Sequence, residues 1–421
     1  MASERAPTPS VHLSHARQGN TTAARSPLVC APALALLLLT AWPALAQGPA
    51  YDEAKAIRYA NTRYALYFLD HAWTFAVLGL LAFTGWAARL CSRVREALAR
   101  RGRRPWAARW AGIALLTLVA AVLCSPLAFV SGYLVEHHFG LSDQPLLGWL
   151  ADAVKGLIVM LIVATPVIAF GYWLMRRTRW WPLWGTLAAA PLVVLLMVVM
   201  PVAVDPLFNR YEPLRDEALR ERILALAHEH GVPAEDVYQV DKSRQTRKLN
   251  AYVTGLLGTS RIVLWDTLLE GMTPEEIESV LAHEIGHYVK GDVWKGSATA
   301  VVVMGLSLLF VALAAPPLVR RFPRLGCTSL DEVASLPLLG LLFLLAVFLL
   351  TPATCAVSRQ IERQADLFGL NATQDAEAAI SSLQKMAAAN LSHPHPPRFI
   401  VFWLYDHPPT RERIEAAEGF R

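Results

Sequence analysis

Cysteine is scarce in this chain. Its 421 residues hold five (Cys30, Cys91, Cys124, Cys327 and Cys355), and no two of them form a C-x-x-C pair. That pattern supports neither a disulfide framework nor a cysteine zinc site. Charge is scarce too: Asp, Glu, Lys and Arg make up 17% of the residues, against about 25% in soluble domains. Hydrophobic residues reach 54% and the mean hydropathy is +0.35. A disordered or collagen-like chain is thereby excluded, and a purely soluble enzyme is disfavoured. No continuous basic face is present either. The formal charge of +5 comes from short arginine clusters, which suit membrane orientation and not nucleic-acid binding.

The first segment reads as targeting. Residues 1–27 are polar and carry Arg17 and Arg25, residues 28–46 are apolar, and Ala44-Leu45-Ala46 has the small-x-small form of a signal-peptidase site. Residues 1–46 are therefore expected to be a signal peptide cleaved after Ala46 or a first membrane span. In either case residues 47–66 belong outside the cytoplasm.

A helix needs about 20 apolar residues to cross the hydrocarbon core. Six segments qualify: 68–88, 111–132, 153–175, 182–203, 297–318 and 335–356. Four lie in an N-terminal membrane region, 47–203, and two in a C-terminal region, 204–421. Arg89, Arg93, Arg95, Arg100, Arg101, Arg103, Arg104 and Arg109 separate the first two spans. Arg176, Arg177 and Arg179 separate the third and fourth, and Arg320, Arg321 and Arg324 the fifth and sixth. Positive loops stay in the cytoplasm, so the alternate loops, 133–152, 204–296 and 357–421, are expected on the other side. Trp180, Trp181 and Trp184 fit an aromatic belt, and Glu136-His137-His138 reads as a solvated loop.

Chemistry concentrates at Thr273–Lys290. Thr273 suits a helix N-cap, Pro274 the first helical position, and Glu276 a capping box. Ile277, Val280, Leu281 and Ile285 recur at helical spacing. The predicted helix carries His283-Glu284-Ile285-Gly286-His287. Residues four apart share a face, so His283 and His287 can aim two imidazoles at one ion, with Glu284 beside them as general base. This is the HExxH arrangement of zinc proteases. A catalytic zinc takes three protein ligands. Glu362, on a helix expected to continue past the last span, is the candidate third, and Asp366 one turn later is placed to orient a histidine ligand. Spacing alone leaves open a solvated carboxylate pair beside Arg359 and Arg363. A transporter would need charged residues inside its spans, and these spans are nearly free of them.

Five motifs occur in order: Pro206-Leu207-Phe208-Asn209 with Glu212-Pro213-Leu214, Asn250-Ala251-Tyr252 with Gly255, HEIGH, the stretch Glu362-Arg363-Gln364-Ala365-Asp366, and Asp406-His407-Pro408-Pro409-Thr410-Arg411-Glu412-Arg413. Together they resemble the type I CAAX prenyl endopeptidases, integral-membrane zinc metalloproteases related to bacterial heat-shock membrane proteases. The resemblance covers about 51–421. It implies that His283, His287 and Glu362 hold one zinc ion per chain and that Glu284 is the general base. It implies a second catalytic carboxylate at Asp366 and places His407 and Arg413 near the substrate. It makes Asn250, Ala251 and Tyr252 an edge segment that aligns the substrate backbone. The fold class expected is mainly α, with polytopic membrane helices joined to a zincin-type metalloprotease domain. A small β-sheet is expected near 236–266, where Val237, Tyr238, Val240, Ile262, Val263 and Leu264 supply β-forming residues.

The partners expected are a peptide or protein substrate and the lipid bilayer, without nucleic acid. The location expected is a bacterial inner membrane with the active site on the periplasmic side. Here the chain departs from the eukaryotic enzymes, which carry seven spans and act on the cytosolic side, where prenylation occurs.

Overall fold

The computed structural model describes residues 51–254 and 261–420. The expected targeting segment, 1–46, and Gly255 lie outside the described residues. Helix α1 (Glu53–Phe83) opens on Asp52, whose carboxylate accepts the Lys55 N–H at 2.8 Å. Then come α2 (Trp86–Arg100), α3 (Pro105–Phe129), α4 (Leu146–Arg177) and α5 (Trp181–Val199). Among the described residues six helices are long and apolar enough to cross a membrane, and they occur where six were expected.

The first span differs in detail. It was expected to run to 88, but Gly85 takes φ +74° and breaks the helix after Phe83. The turn frees α2 to form a separate arginine-rich helix. Glu136-His137-His138, expected as a loop, is helical and continues α3 through one wider turn at 130–134. It is tied down rather than solvated: the Tyr59 hydroxyl donates to Glu136 at 2.8 Å, and Lys248 Nζ pairs with Glu136 at 2.8 Å. Trp180 and Trp184 are exposed as a belt requires, whereas Trp181 is buried in the membrane-half core.

Beyond α5 the chain leaves the bundle. It forms β1 (Tyr211–Pro213), α6 (Glu217–Glu229), β2 (Val237–Val240), β3 (Ala251–Thr254), β4 (Arg261–Trp265), the short α7 (Asp266–Gly271) and α8 (Pro274–Val289). The sheet order is β1-β2-β4-β3, with β2 and β4 parallel and both outer pairs antiparallel. The sheet lies where the β-forming residues predicted it, with β1 as an added edge. Ile262, Val263 and Leu264 of β4 are all buried, as a central strand demands. Ile262 and Leu264 pack with Ile223 of α6 and with Ile277, Leu281 and Ile285 of α8. Burying each such side chain stabilises by about 1.5–3 kcal/mol, so this core holds α8 against the sheet. Strand β3 ends the order, and among the described residues it pairs only with β4.

Helices α9 (Asp292–Arg321) and α10 (Leu336–Thr373) re-enter the bundle and pack through Val311, Ala315, Leu338 and Leu342. At 38 residues and 1.5 Å per residue, α10 is about 57 Å long. That exceeds the hydrocarbon thickness of about 30 Å, so one unbroken helix carries Glu362 past the expected span. The chain closes with α11 (Ala376–Ala389), α12 (Arg398–Leu404) and α13 (Thr410–Glu418).

Candidate metal and catalytic centre

Helix α8 begins as its sequence requires. The Thr273 hydroxyl accepts the Glu276 N–H at 3.4 Å, and Glu276 Oε2 accepts the Thr273 N–H at 2.8 Å, closing the capping box. The same carboxylate receives Lys385 Nζ at 2.7 Å and the Ser381 hydroxyl at 2.5 Å, which ties α8 to α11. Burial would raise the Glu276 pKa, but these donors outweigh it and hold it below the usual glutamate value.

Two glycines set how closely α8 and α10 approach. A Cβ at Gly369 would lie 3.1 Å from the His283 backbone nitrogen, and one at Gly286 would lie 3.0 Å from the Phe368 ring. Because both positions lack a Cβ, α10 can bring Glu362 to the two histidines. Glu362 Oε2 is 3.3 Å from His283 Nε2, and Oε1 is 3.5 Å from His287 Nε2. The two Nε2 atoms are 3.2 Å apart. One ligand atom from each of the three residues lies within 4.8 Å of the others.

The outer nitrogens decide what this cluster can hold. His283 Nδ1 faces Asp366 Oδ1 at 2.9 Å, and His287 Nδ1 faces Asp292 Oδ2 at 2.9 Å. Carboxylates only accept, so each Nδ1 carries a proton and each ring turns its Nε2 inward. Glu362, 6% exposed, adds a buried Oε2 that receives no hydrogen bond. Two inward Nε2 atoms and a carboxylate converging on one point suit a divalent cation. Burial disfavours charge on His283, yet the carboxylates of Asp366 and Glu362 beside it outweigh burial and hold its pKa up to about 9, so a cation bound there would take the place of the Nε2 proton. The spot favours positive charge.

Glu284, Asp366, His407, Arg413 and Asn250 line one cavity of about 110 Å³ beside the cluster. Burial pushes the Glu284 carboxyl above the usual range, against the pull of His283 and His287. His407 Nε2 is 3.2 Å from Glu362 Oε2, and its Nδ1 is 2.9 Å from Asp406 Oδ1. Arg413 grips Asp366 through two bonds, Nε to Oδ2 at 2.9 Å and Nη2 to Oδ1 at 2.6 Å. Its guanidinium therefore steadies the carboxylate that orients His283.

Of the edge segment, only Asn250 reaches the cavity. Ala251 is buried in the soluble core, and the Tyr252 hydroxyl lies 3.2 Å from that of Tyr211. Sequence reasoning missed Asp292. The signal was present in Gly291-Asp292, where a glycine at φ +65° turns the chain just after α8 and starts α9 beside His287. It also missed Lys295, whose Nζ pairs with Asp292 at 2.6 Å.

Comparison with known proteins agrees with this architecture. Residues 213–421 match the model of peptidase family M48, and residues 45–210 match that of the CAAX prenyl protease N-terminal domain with five membrane helices. The chain is 33% identical over 374 residues to a metalloprotease of Bacillus subtilis named YhfN, covering 87% of this chain and 85% of that one. It is 30% identical to a rice CAAX prenyl protease 1 homolog (70% and 69% covered) and 29% identical to CAAX prenyl protease 1 of Saccharomyces cerevisiae (73% and 71%). The crystal structure of S. mikatae Ste24p superposes with a TM-score of 0.73 at 22% identity, over 86% of this chain and 88% of that one, which establishes the shared fold. The helical bundle, the small sheet and these matches place the chain in peptidase family M48, as a multi-pass membrane metalloprotease of the CAAX prenyl protease 1 type.

Proposed function

We propose that the chain is a zinc endopeptidase in which His283, His287 and Glu362 hold one ion and Glu284 is the general base. The observation that carries this reading is the convergence of two inward Nε2 atoms and the Glu362 carboxylate, with both Nδ1 protons committed to Asp366 and Asp292. When bound, zinc lowers the pKa of water towards about 7 and polarises a scissile carbonyl. Glu284 removes the proton of the attacking water and returns it to the leaving amine. Its buried setting raises its pKa, which strengthens it as a base and suits that return. His407, next to Glu362, donates to the oxygen that gains charge in the transition state. Asp366, gripped by Arg413, keeps His283 in its metal-facing tautomer. The edge of β3 away from β4 pairs with an extended peptide by strand addition, and Asn250 marks where that edge enters the cavity.

The names of the plant and yeast relatives support a C-terminal, lipid-modified peptide as the substrate class. The arginine loops support an active site on the periplasmic face of a bacterial inner membrane, where membrane and exported proteins are also substrates. The same reading divides the chain into 1–46, a signal or first span, a membrane region 47–203, and a metallopeptidase region 204–421.

Glu284→Gln tests the chemistry. The purified variant is expected to keep one zinc per chain by elemental analysis and to lose cleavage of a fluorogenic peptide. Cleavage at the wild-type rate would overturn the assignment.

A further inference from the structure

A second recess lies at the other end of the bundle, a full span away from the catalytic centre. It has a volume of about 320 Å³ and sits between α2, the start of α3, the end of α4 and the 326–334 loop. Three guanidinium groups line it, those of Arg95, Arg109 and Arg176, together with Asp331 and Glu332.

The two carboxylates are already engaged. Arg176 Nε donates to Asp331 Oδ2 at 3.2 Å. Glu332 Oε1 accepts the Thr328 N–H at 2.8 Å, the Thr328 hydroxyl at 2.7 Å and the Ser329 N–H at 3.2 Å. Among the described residues neither Arg95 nor Arg109 forms an ion pair, and three arginines against two carboxylates leave the lining with a net positive charge. Between residues 84 and 110 eight arginines stand against one acid, Glu96.

The frame of the recess is close-packed. A Cβ on Gly85 would lie 2.9 Å from Arg324 O, and one on Gly326 would lie 2.5 Å from the Ala88 side chain. Both glycines also hold positive φ, so the contact between the start of α2 and the 326 loop admits no larger residue. Ala88, Pro105, Ala108 and Val333 give the recess one apolar part of its wall. Trp86 and Trp106, each 58% exposed, stand two positions and one position in sequence from the lining residues Ala88 and Pro105, as aromatic side chains do at a membrane surface.

We propose that this recess binds the phosphodiester headgroup of an anionic phospholipid, with Arg95 and Arg109 on the phosphate and the apolar wall against the glycerol. Basic pockets between membrane helices have this chemistry, and guanidinium forks match phosphate oxygens. The site goes beyond orientation by the positive-inside rule, because it uses two particular arginines at a preformed hollow. It is independent of the catalytic reading.

The test uses the full chain purified in a neutral detergent, with its melting followed by tryptophan fluorescence. Dioleoyl-phosphatidylglycerol is expected to raise the melting temperature, and dioleoyl-phosphatidylcholine to leave it unchanged. The double variant Arg95→Gln/Arg109→Gln is expected to melt like the parent in detergent alone and to bind phosphatidylglycerol about 30-fold more weakly, at about 1 kcal/mol for each arginine. The control Arg103→Gln/Arg104→Gln, outside the recess lining, is expected to keep the response. An undiminished response in the first variant, or an equal loss in the control, would overturn the site. An equal shift with inorganic phosphate would overturn the lipid assignment. If the first variant melts lower in detergent alone, Arg95→Lys/Arg109→Lys replaces it; it keeps the charge but lacks the guanidinium fork, so weaker phosphatidylglycerol binding is expected, and undiminished binding would count against the proposal.

Discussion

Asp366 and Asp292 each serve one histidine, and together they decide the protonation of both rings. Removing such a partner weakens metal affinity by about 10–100-fold in metal sites generally. Asp292→Ala is expected to bind zinc in that weaker range while retaining the ion at saturation, as read by titration with a competing chelator. An unchanged affinity would show that His287 needs no such partner. Glu362→Ala removes the proposed third ligand and is expected to lower zinc stoichiometry after dialysis. A full complement of zinc would remove Glu362 from the site. His283, His287, Glu284 and Glu362 were legible in sequence because their chemistry follows local spacing or directly continues a span. The choice between ligand and solvated carboxylate at Glu362 was not, because it depends on a crossing of two helices far apart in the chain.

That crossing belongs to the elements. Helix α8 is held by its capping box and α10 by its length, and Gly286 and Gly369 set their separation. Gly369→Ala puts a methyl 3.1 Å from the His283 backbone nitrogen. The obstacle is main chain, so the helices themselves must part by a few tenths of an ångström. The expected result is zinc affinity lowered about tenfold with the protein still folded; parent-like affinity would show the crossing to be compliant.

Glu276 gives a pH signature for the same helix. Its folded pKa lies below the ordinary value of 4.5. Its ionised hydrogen bonds therefore stabilise the fold fully above about pH 4.5 and are lost as pH falls through the lower folded pKa. Glu276→Gln is expected to cost about 1–2 kcal/mol near pH 7, and the gap in melting temperature should narrow at acid pH. A gap that widens on acidification would contradict this. The capping box was written in Thr273-Pro274 and Glu276, whereas the contacts to Ser381 and Lys385 were invisible, since they join residues more than a hundred positions apart.

On the scale of the molecule, hydropathy located each of the six long apolar helices among the described residues and missed only local breaks. Gly85 ended the first span early because a left-handed turn there lets α2 leave the helix axis. The proposed orientation puts the catalytic centre on the side opposite the arginine loops. Single cysteines introduced at Arg101 and at Glu235, in a cysteine-free background, test that assignment in intact cells. Glu235 is expected to react with a membrane-impermeant maleimide and Arg101 only after permeabilisation. The reverse pattern would invert the protein.

Composition, apolar run length and the four-residue spacing of two histidines determined that this chain is a membrane-embedded metalloprotease. Each of those signals is local, and each follows from the thickness of a bilayer or the pitch of a helix. Only the tertiary structure decided which carboxylates meet which imidazoles, that Arg413 is spent on Asp366, and that Asp292 belongs to the site. Those contacts arise where separate helices pack, and the closeness of that packing depends on glycines whose role appears only once a neighbour occupies the space they leave.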